Sequence, residues 1–462
     1  MDVDLDRSFL EQYHEFSNRI PHISLQNVAN ENAYYVSYSG WNKNCYWLFY
    51  SDHNQDCCYL EDSFRNQNCM DCSYTHRSTF CYETFFCTNC YNSRYLQGCT
   101  NCRDSWFLNN CIGCSNCFGC VNLRQKQYCI FNEQCSKEDY TSRIHTLDLK
   151  TIDGIEGARE RFSRHALAYP HKCLEGVQND TVSGNYINNS KNIRSGYIIE
   201  HSRDCAYIND CQKCTDCMDM DGWGGTGAQL VYEGQTVGEG ANNVAFCNYT
   251  FTGASDIYYS DLCLNNCHNL FGCFGLHKKQ YCILNKQYTQ KEYEILVPKI
   301  IARMRAGGEW GQFSPVKDSP YGYNETAAQH FFPLTKEQAL SRGFPWKEEE
   351  EKSLPGKRIE MHKVPRISDD IEDTICDAVL TCSDSGKLFK IQKLELAFYR
   401  TMGLPIPSYH PDIRYRRRHL PRNPRKLWKR PCMKCGKGME TTYAPERPEI
   451  VYCEECYLKE VY

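Results

Sequence analysis

The chain has 462 residues, 41% of them hydrophobic, with 53 basic and 57 acidic side chains and a net charge of −4. That length excludes one compact core and predicts two to four domains, and the near-balanced charge confines any nucleic-acid surface to a local patch. There are thirty-two cysteines, no apolar run long enough to span a bilayer, and an acidic start unlike a secretory signal. This combination predicts a cytoplasmic protein whose cysteines are metal ligands or reduced, buried thiols rather than disulfides.

From Cys45 onward every sixth residue is small and soft: Cys45, Ser51, Cys57, Ser63, Cys69, Thr75, Cys81, Cys87, Ser93, Cys99, Ser105, Cys111 and Cys117. Cys72, Cys90, Cys102, Cys114 and Cys120 fall halfway between, so nearly all the cysteines of this stretch share one three-residue register. A sustained short period predicts a mainly β fold, a hexad-type β-solenoid with about 18 residues per coil and interior ladders of like residues. Asn or Asp often precedes the ladder, as at Asn44, Asp56, Asn68, Asn92 and Asn116, where a left-handed corner suits them.

The unit is duplicated. Residues 116–140 align on 269–293 without gaps, with 13 of 25 identical. The second copy carries Ile187, Ile193, Ile199, Cys205, Cys211, Cys217, Leu264, Leu270, Leu276 and Cys282 in the ladder. Ile and Leu in place of Cys mark the position as an apolar filler, which argues against the repeat cysteines being ligands as a class. Helical segments at Ser136–Thr146, Gly154–His165 and Thr289–Arg305 are expected to cap the open solenoid ends. Seven glycines in residues 218–241 mark a loop.

The expected domains are the first solenoid unit at 1–150, the second with its Gly-rich loop and cap at 151–346, a charged linker at 347–370, and a small α+β module at 371–462. That module opens with an amphipathic helix near Ile391–Met402 and ends in Cys432-x2-Cys435 and Cys453-x2-Cys456. Two such knuckles place four thiolates for tetrahedral zinc, with Gly436 freeing the turn and no position left open for a catalytic water, so the expected cofactor is structural Zn2+. Cys376, Cys382 and His410 leave a second metal site open as a question. The basic stretch before the ribbon offers Arg414, Arg416, Arg417, Arg418, Arg422, Arg425, Lys426, Trp428, Lys429 and Arg430 as candidate contacts to nucleic acid.

The segments CIGCSNCFGCVNLRQKQYCIFNEQ, FGCFGLHKKQYCILNKQYTQKEY, GEWGQFSP, SPYGYNET and RNPRKLW, the last leading into the ribbon that ends VYCEECY, resemble a family of cysteine-rich repeat and zinc-ribbon proteins of candidate-phyla bacteria. The resemblance runs along most of residues 10–462 and brings no activity with it. It implies a further knuckle of the form CPxCR upstream of the basic stretch; here that place reads His410-Pro411-Asp412-Ile413-Arg414, and Ser385 stands where a partner for Cys382 is expected.

These features favour a zinc-binding scaffold that contacts RNA, DNA or a ribonucleoprotein through the basic ribbon, with no membrane association. One alternative is a transferase-like enzyme with a site at the Gly-rich loop, around Asp219, Asp221 and Glu233, or at Glu325. Neither place shows a nucleophile with its base or a phosphate loop. Another is a metal-storage or redox protein, which leans on Cys111-x2-Cys114-x2-Cys117-x2-Cys120.

Overall fold

The structure, a computed structural model, describes residues 1–222, 227–232, 234, 242–245, 255–348 and 353–462. The described chain divides into two compact units: Met1–His22, Lys172–Glu348 and Asn423–Arg447 form one, and Ile23–His171, Glu349–Arg422 and Pro448–Tyr462 the other. The segment expected as one domain over 371–462 is shared between them.

The first solenoid is a parallel stack in which Tyr46 pairs with Cys58, Cys58 with Met70 and Cys117 with Cys129. The coil is therefore twelve residues long, not about 18, and the six-residue period is half a coil. Its cross-section follows from the backbone: from Ala29 to Phe131 every third residue is left-handed, with φ near +50° at Asn44, Asp56 and Asn68 and three of the positions taken by Gly98, Gly113 and Gly119. Four corners per coil give four short walls. In each triplet the corner residue is followed by one pointing into the lumen and one pointing out. Left-handed backbone costs roughly 1–2 kcal/mol per ordinary residue. The coil offsets that cost with a rung of ladder hydrogen bonds and, away from the two ends of the stack, a buried side chain at every step.

The rungs are chosen for more than size. Ser51 Oγ donates to Phe49 O at 2.8 Å, and Cys57 Sγ to Gln55 O at 3.1 Å, each reaching the carbonyl two residues back. Ser63 N donates to Ser51 Oγ at 3.1 Å, and Cys69 N to Cys57 Sγ at 3.4 Å, so thiol and hydroxyl play one role. On a neighbouring wall Asn42, Asn54 and Asn66 form a buried amide ladder, each Nδ2 donating to the Oδ1 one coil below at 3.1–3.2 Å. The interior cysteine is thus a filler that also satisfies a carbonyl. Cys111→Ser should cost only about 1 kcal/mol, because the hydroxyl keeps the donor to Asn109 O. Cys111→Val removes the donor and adds a branch, and should cost about twice as much. Urea midpoints of the two variants check the order.

The second solenoid begins with the same coil, Ile187 pairing with Ile199 and Lys191 with Arg203, then lengthens by one residue where Gln229 pairs with Asn242 and Asn242 with Ser255. In the following coil, where Ser255 pairs with His268, the extra residue appears as a doubled corner at Asn265 and Asn266, both left-handed. It shifts the register, so Cys263 and Cys267 fill the lumen and Leu264 does not. Ile187, Ile193 and Ile199 are buried in the lumen as expected.

Each stack ends in an antiparallel turn-back, Glu133–Gln134 on Gln127–Ile130 and Lys286–Gln287 on Gln280–Ile283. A helix follows in each case: Lys137–His145, capped by Ser136, and Gln290–Ala306, capped by Thr289 in a capping box. Pairing the last strand in the reverse sense blocks further parallel addition. In the unit that holds the first solenoid the outer aromatic wall, with Tyr59, Tyr82, Tyr95, Phe107 and Phe118, packs under the helices Ile152–Ala166 and Lys393–Met402. The latter is the expected amphipathic helix, closed by Gly403 at φ 62°.

Candidate metal centre

The ribbon is built from its turns. Strands Trp428–Pro431 and Gly438–Thr441 pair antiparallel, Pro431 opposite Gly438, around a tight turn in which Cys432 N donates to Lys437 O at 2.8 Å and Gly436 N to Cys432 O at 2.9 Å. Gly436 has φ 74°, which a side chain would resist. After strand Ile450–Tyr452, Cys453 caps helix Glu454–Val461 and Cys456 lies in its first turn. The sulfurs of Cys432, Cys435, Cys453 and Cys456 all lie within 4.8 Å of one another. Four sulfurs at about 2.3 Å from one zinc stand about 3.8 Å apart, so the group fits a closed tetrahedral shell. The four cysteines can hold a metal ion.

Residues 379–419 repeat this frame without the ligands. Strands Val379–Thr381 and Leu388–Phe389 flank a turn in which Cys382 N donates to Lys387 O at 2.9 Å and Gly386 N to Cys382 O at 3.1 Å, with Gly386 at φ 70°. His410 caps the helix Pro411–His419, as Cys453 caps its own. Ser385 and Ile413 therefore stand where the second and fourth cysteines of a ribbon would stand, and Ile413 is buried in the apolar cluster instead. His410 Nδ1 accepts from Asp412 N at 3.1 Å, and Cys376 sits half-buried in the short helix Asp373–Asp377. Burial opposes ionisation of the Cys382 thiol, but hydrogen bonds from Ser385 and from the N–H groups of His410 and Asp384 hold it below its ordinary value. Among the described residues the C-terminal cysteines are the one set of three or more such donors mutually within 4.8 Å, so Cys376, Cys382 and His410 do not gather into a second site.

The basic stretch lies differently from an exposed arm. Arg414 is 3% exposed: its Nη1 donates to Asp71 Oδ2 at 2.7 Å, Glu395 Oε1 at 2.8 Å and Tyr399 OH at 2.9 Å, and its guanidinium lies 4.3 Å from the centre of the Tyr59 ring. Arg418 is buried too, with Asp71 Oδ1 at 3.3 Å and Ser73 Oγ at 3.2 Å. Arg417 holds Glu156 at 2.8 Å. Burial pushes Asp71 up to about 6 against the pull of Arg414 and Arg418. In the other unit Arg425 pairs with Asp210 at 2.7 Å and covers the Phe331 ring. Arg414 and Arg418 present no charge to a phosphate. They fasten the C-terminal helices of their unit to the first solenoid, and no net-charge count reveals this because their shared partner Asp71 lies more than 300 positions away in the chain.

Of the remaining candidates Arg416, Lys426 and Lys429 are exposed, while Arg422, Trp428 and Arg430 are half-buried. Arg430 donates to Ala444 O at 3.0 Å and Lys426 lies over Trp428. Lys434 and Lys437, on the same hairpin and outside the expected set, are exposed as well. Of the residues considered for catalysis, Asp219 is exposed at a coil corner, Asp221 is exposed two residues further on, and Glu233 lies outside the described residues. Glu325 is committed to a turn, accepting from Gly322 N at 3.0 Å and Lys347 Nζ at 2.7 Å. No described helix is long and apolar enough to cross a membrane.

No family model matches the chain, and no curated protein matches it. Among solved structures it matches one titled "putative acetyltransferase from Desulfovibrio desulfuricans G20", at 9% identity over 57% of this chain and 71% of that one, with a TM-score of 0.10. So little of the two backbones superposes that neither the fold nor the activity of this chain is argued from it.

Proposed function

We propose that the protein is a zinc-binding scaffold: two rigid solenoids, with a four-cysteine zinc ribbon whose basic hairpin contacts nucleic acid or a ribonucleoprotein. The observation that carries the reading is the convergence of four cysteine sulfurs within 4.8 Å, a shell that zinc closes completely and that therefore serves structure rather than catalysis. The nucleic-acid surface is smaller than the charge of the whole stretch suggests. It consists of Lys426, Lys429, Lys434 and Lys437, all exposed, with Trp428 beside them.

Purified protein should carry about one zinc per chain. Binding to a single-stranded oligonucleotide should weaken steeply with salt, and replacing the four lysines by Ala should flatten the log–log slope by up to about 4. The pair Arg414 and Arg418 should contribute nothing to that slope. Salt-independent binding, or none with zinc in place, would move the contact to a protein partner and leave the scaffold reading standing; absence of zinc would overturn it.

A further inference from the structure

The two solenoids share one feature that neither the ribbon nor packing explains. In the first, Cys111, Cys114, Cys117 and Cys120 are four successive lumen residues, fully buried. In the second, Cys211, Cys214, Cys217 and Met220 stand at the same spacing and are at most 2% exposed. The four stand three residues apart in a twelve-residue coil, so in each case all four walls of one coil are sulfur. In the second ring Cys214 Sγ lies 3.9 Å from Met220 Sδ.

Packing does not require sulfur here. Ser93 and Ser105 occupy the wall directly beneath Cys117, donating to the carbonyl two residues back at 2.8 and 2.7 Å, and Cys117 N donates to Ser105 Oγ at 3.1 Å. Oxygen serves that rung fully. A ring of thiols with a thioether is the donor set that soft monovalent ions prefer. The spacing selects further: among the described residues no lumen triplet of cysteine sulfurs lies mutually within 4.8 Å, so a tetrahedral zinc shell is not offered, whereas neighbouring sulfur pairs suit an ion that binds two sulfurs.

We propose that each of these sulfur rings is a buried site for a soft monovalent d10 cation of the Cu(I) or Ag(I) class. Entry of M+ forms an M–S bond at one cysteine and breaks its S–H bond, the proton leaving to solvent. A neighbouring sulfur, Met220 in the second ring, donates a lone pair as neutral ligand. One positive charge enters as one leaves, so the apolar lumen gains no net charge, which is the condition for burying an ion there.

The test titrates the zinc-loaded full chain with Ag(I) under anaerobic conditions, then counts silver and zinc after desalting and records the circular-dichroism melt. Wild type should retain about two silver ions beyond those that replace zinc, with its melt still cooperative. Cys114→Ser with Cys117→Ser should lose about one of them, and Cys214→Ser with Cys217→Ser the other, zinc unchanged. Should either double variant fail to fold, Met220→Leu decides, since it keeps the volume and should weaken silver retention in the second ring alone. Silver no greater than the zinc displaced, retention unaffected by every variant, or uptake only with loss of the cooperative melt would overturn the proposal.

Discussion

Arg414→Ala is expected to destabilise the unit containing the first solenoid by about 3–5 kcal/mol, far more than any other single change in the basic stretch. The guanidinium is the shared partner of two buried carboxylates, Asp71 and Glu395, each 1% exposed or less. Removing it strands Glu395 among Tyr59, Tyr399 and apolar side chains, and leaves Asp71 with Arg418 alone, at 3.3 Å. An unpaired carboxylate in such a place is costly until it is protonated. Asp71 is already pushed up to about 6 by burial, so a proton binds it more readily in the folded than in the unfolded chain. A carboxyl raised in this way stabilises the fold fully below the ordinary carboxylate range, and the benefit is lost as pH rises through about 6. Losing Arg414 should raise the group further, so the deficit of the Ala variant should be smaller at pH 5 than at pH 8. Urea unfolding at the two pH values measures both, with the exposed Arg416→Ala expected to stay within about 0.5 kcal/mol of wild type. A pH-independent loss would mean that the side chain acts through packing on Tyr59 rather than through charge.

The contrast between Arg414 and the ribbon shows what a sequence discloses. Cys432 to Cys456 are legible because ligand spacing is a local property: two tight turns bring each pair together and the metal joins them. The left-handed corners at Asn44, Asp56 and Asn116 are legible for the same reason, since their side chains suit that backbone. Trp47, Tyr59 and Phe107 are equally left-handed, yet nothing in their propensities announces it, because the ladder imposes the conformation on them. The coil length is hidden by the similarity of opposite walls. Cys45 and Cys57 on one wall alternate with Ser51 and Ser63 on another, and side chains with the same donor role make half a coil look like a whole one. A doubled corner at Asn265 and Asn266 moves Leu264 out of the lumen without breaking the visible pattern. The partners of the basic stretch are set by docking between distant segments, which no window of sequence contains.

Stripping the metal should unfold the C-terminal ribbon while both solenoids keep their structure. The ribbon has little else to hold it: a hairpin of four-residue strands, a three-residue strand and one helix of eight residues. A structural zinc in such modules contributes about 10–16 kcal/mol of apparent binding energy, more than so small a core supplies. The solenoids draw their stability from the lumen and the outer aromatic walls and need no ion. The neighbouring frame at 379–419 is an internal control, for there Ile413 and Phe389 sit in the apolar cluster and the turn closes without ligands. A strong chelator, or Cys453→Ser, should release the zinc and open Lys426, Lys429, Lys434 and Lys437 to trypsin, while cleavage within 379–419 stays slow. Zinc should protect in proportion to its occupancy, since it binds the folded ribbon and not the unfolded one. Zinc retained at full stoichiometry by Cys453→Ser would place the metal elsewhere. A metal-free chain that resists trypsin as well as the loaded one would show that the ribbon, like its neighbour, folds on its own packing.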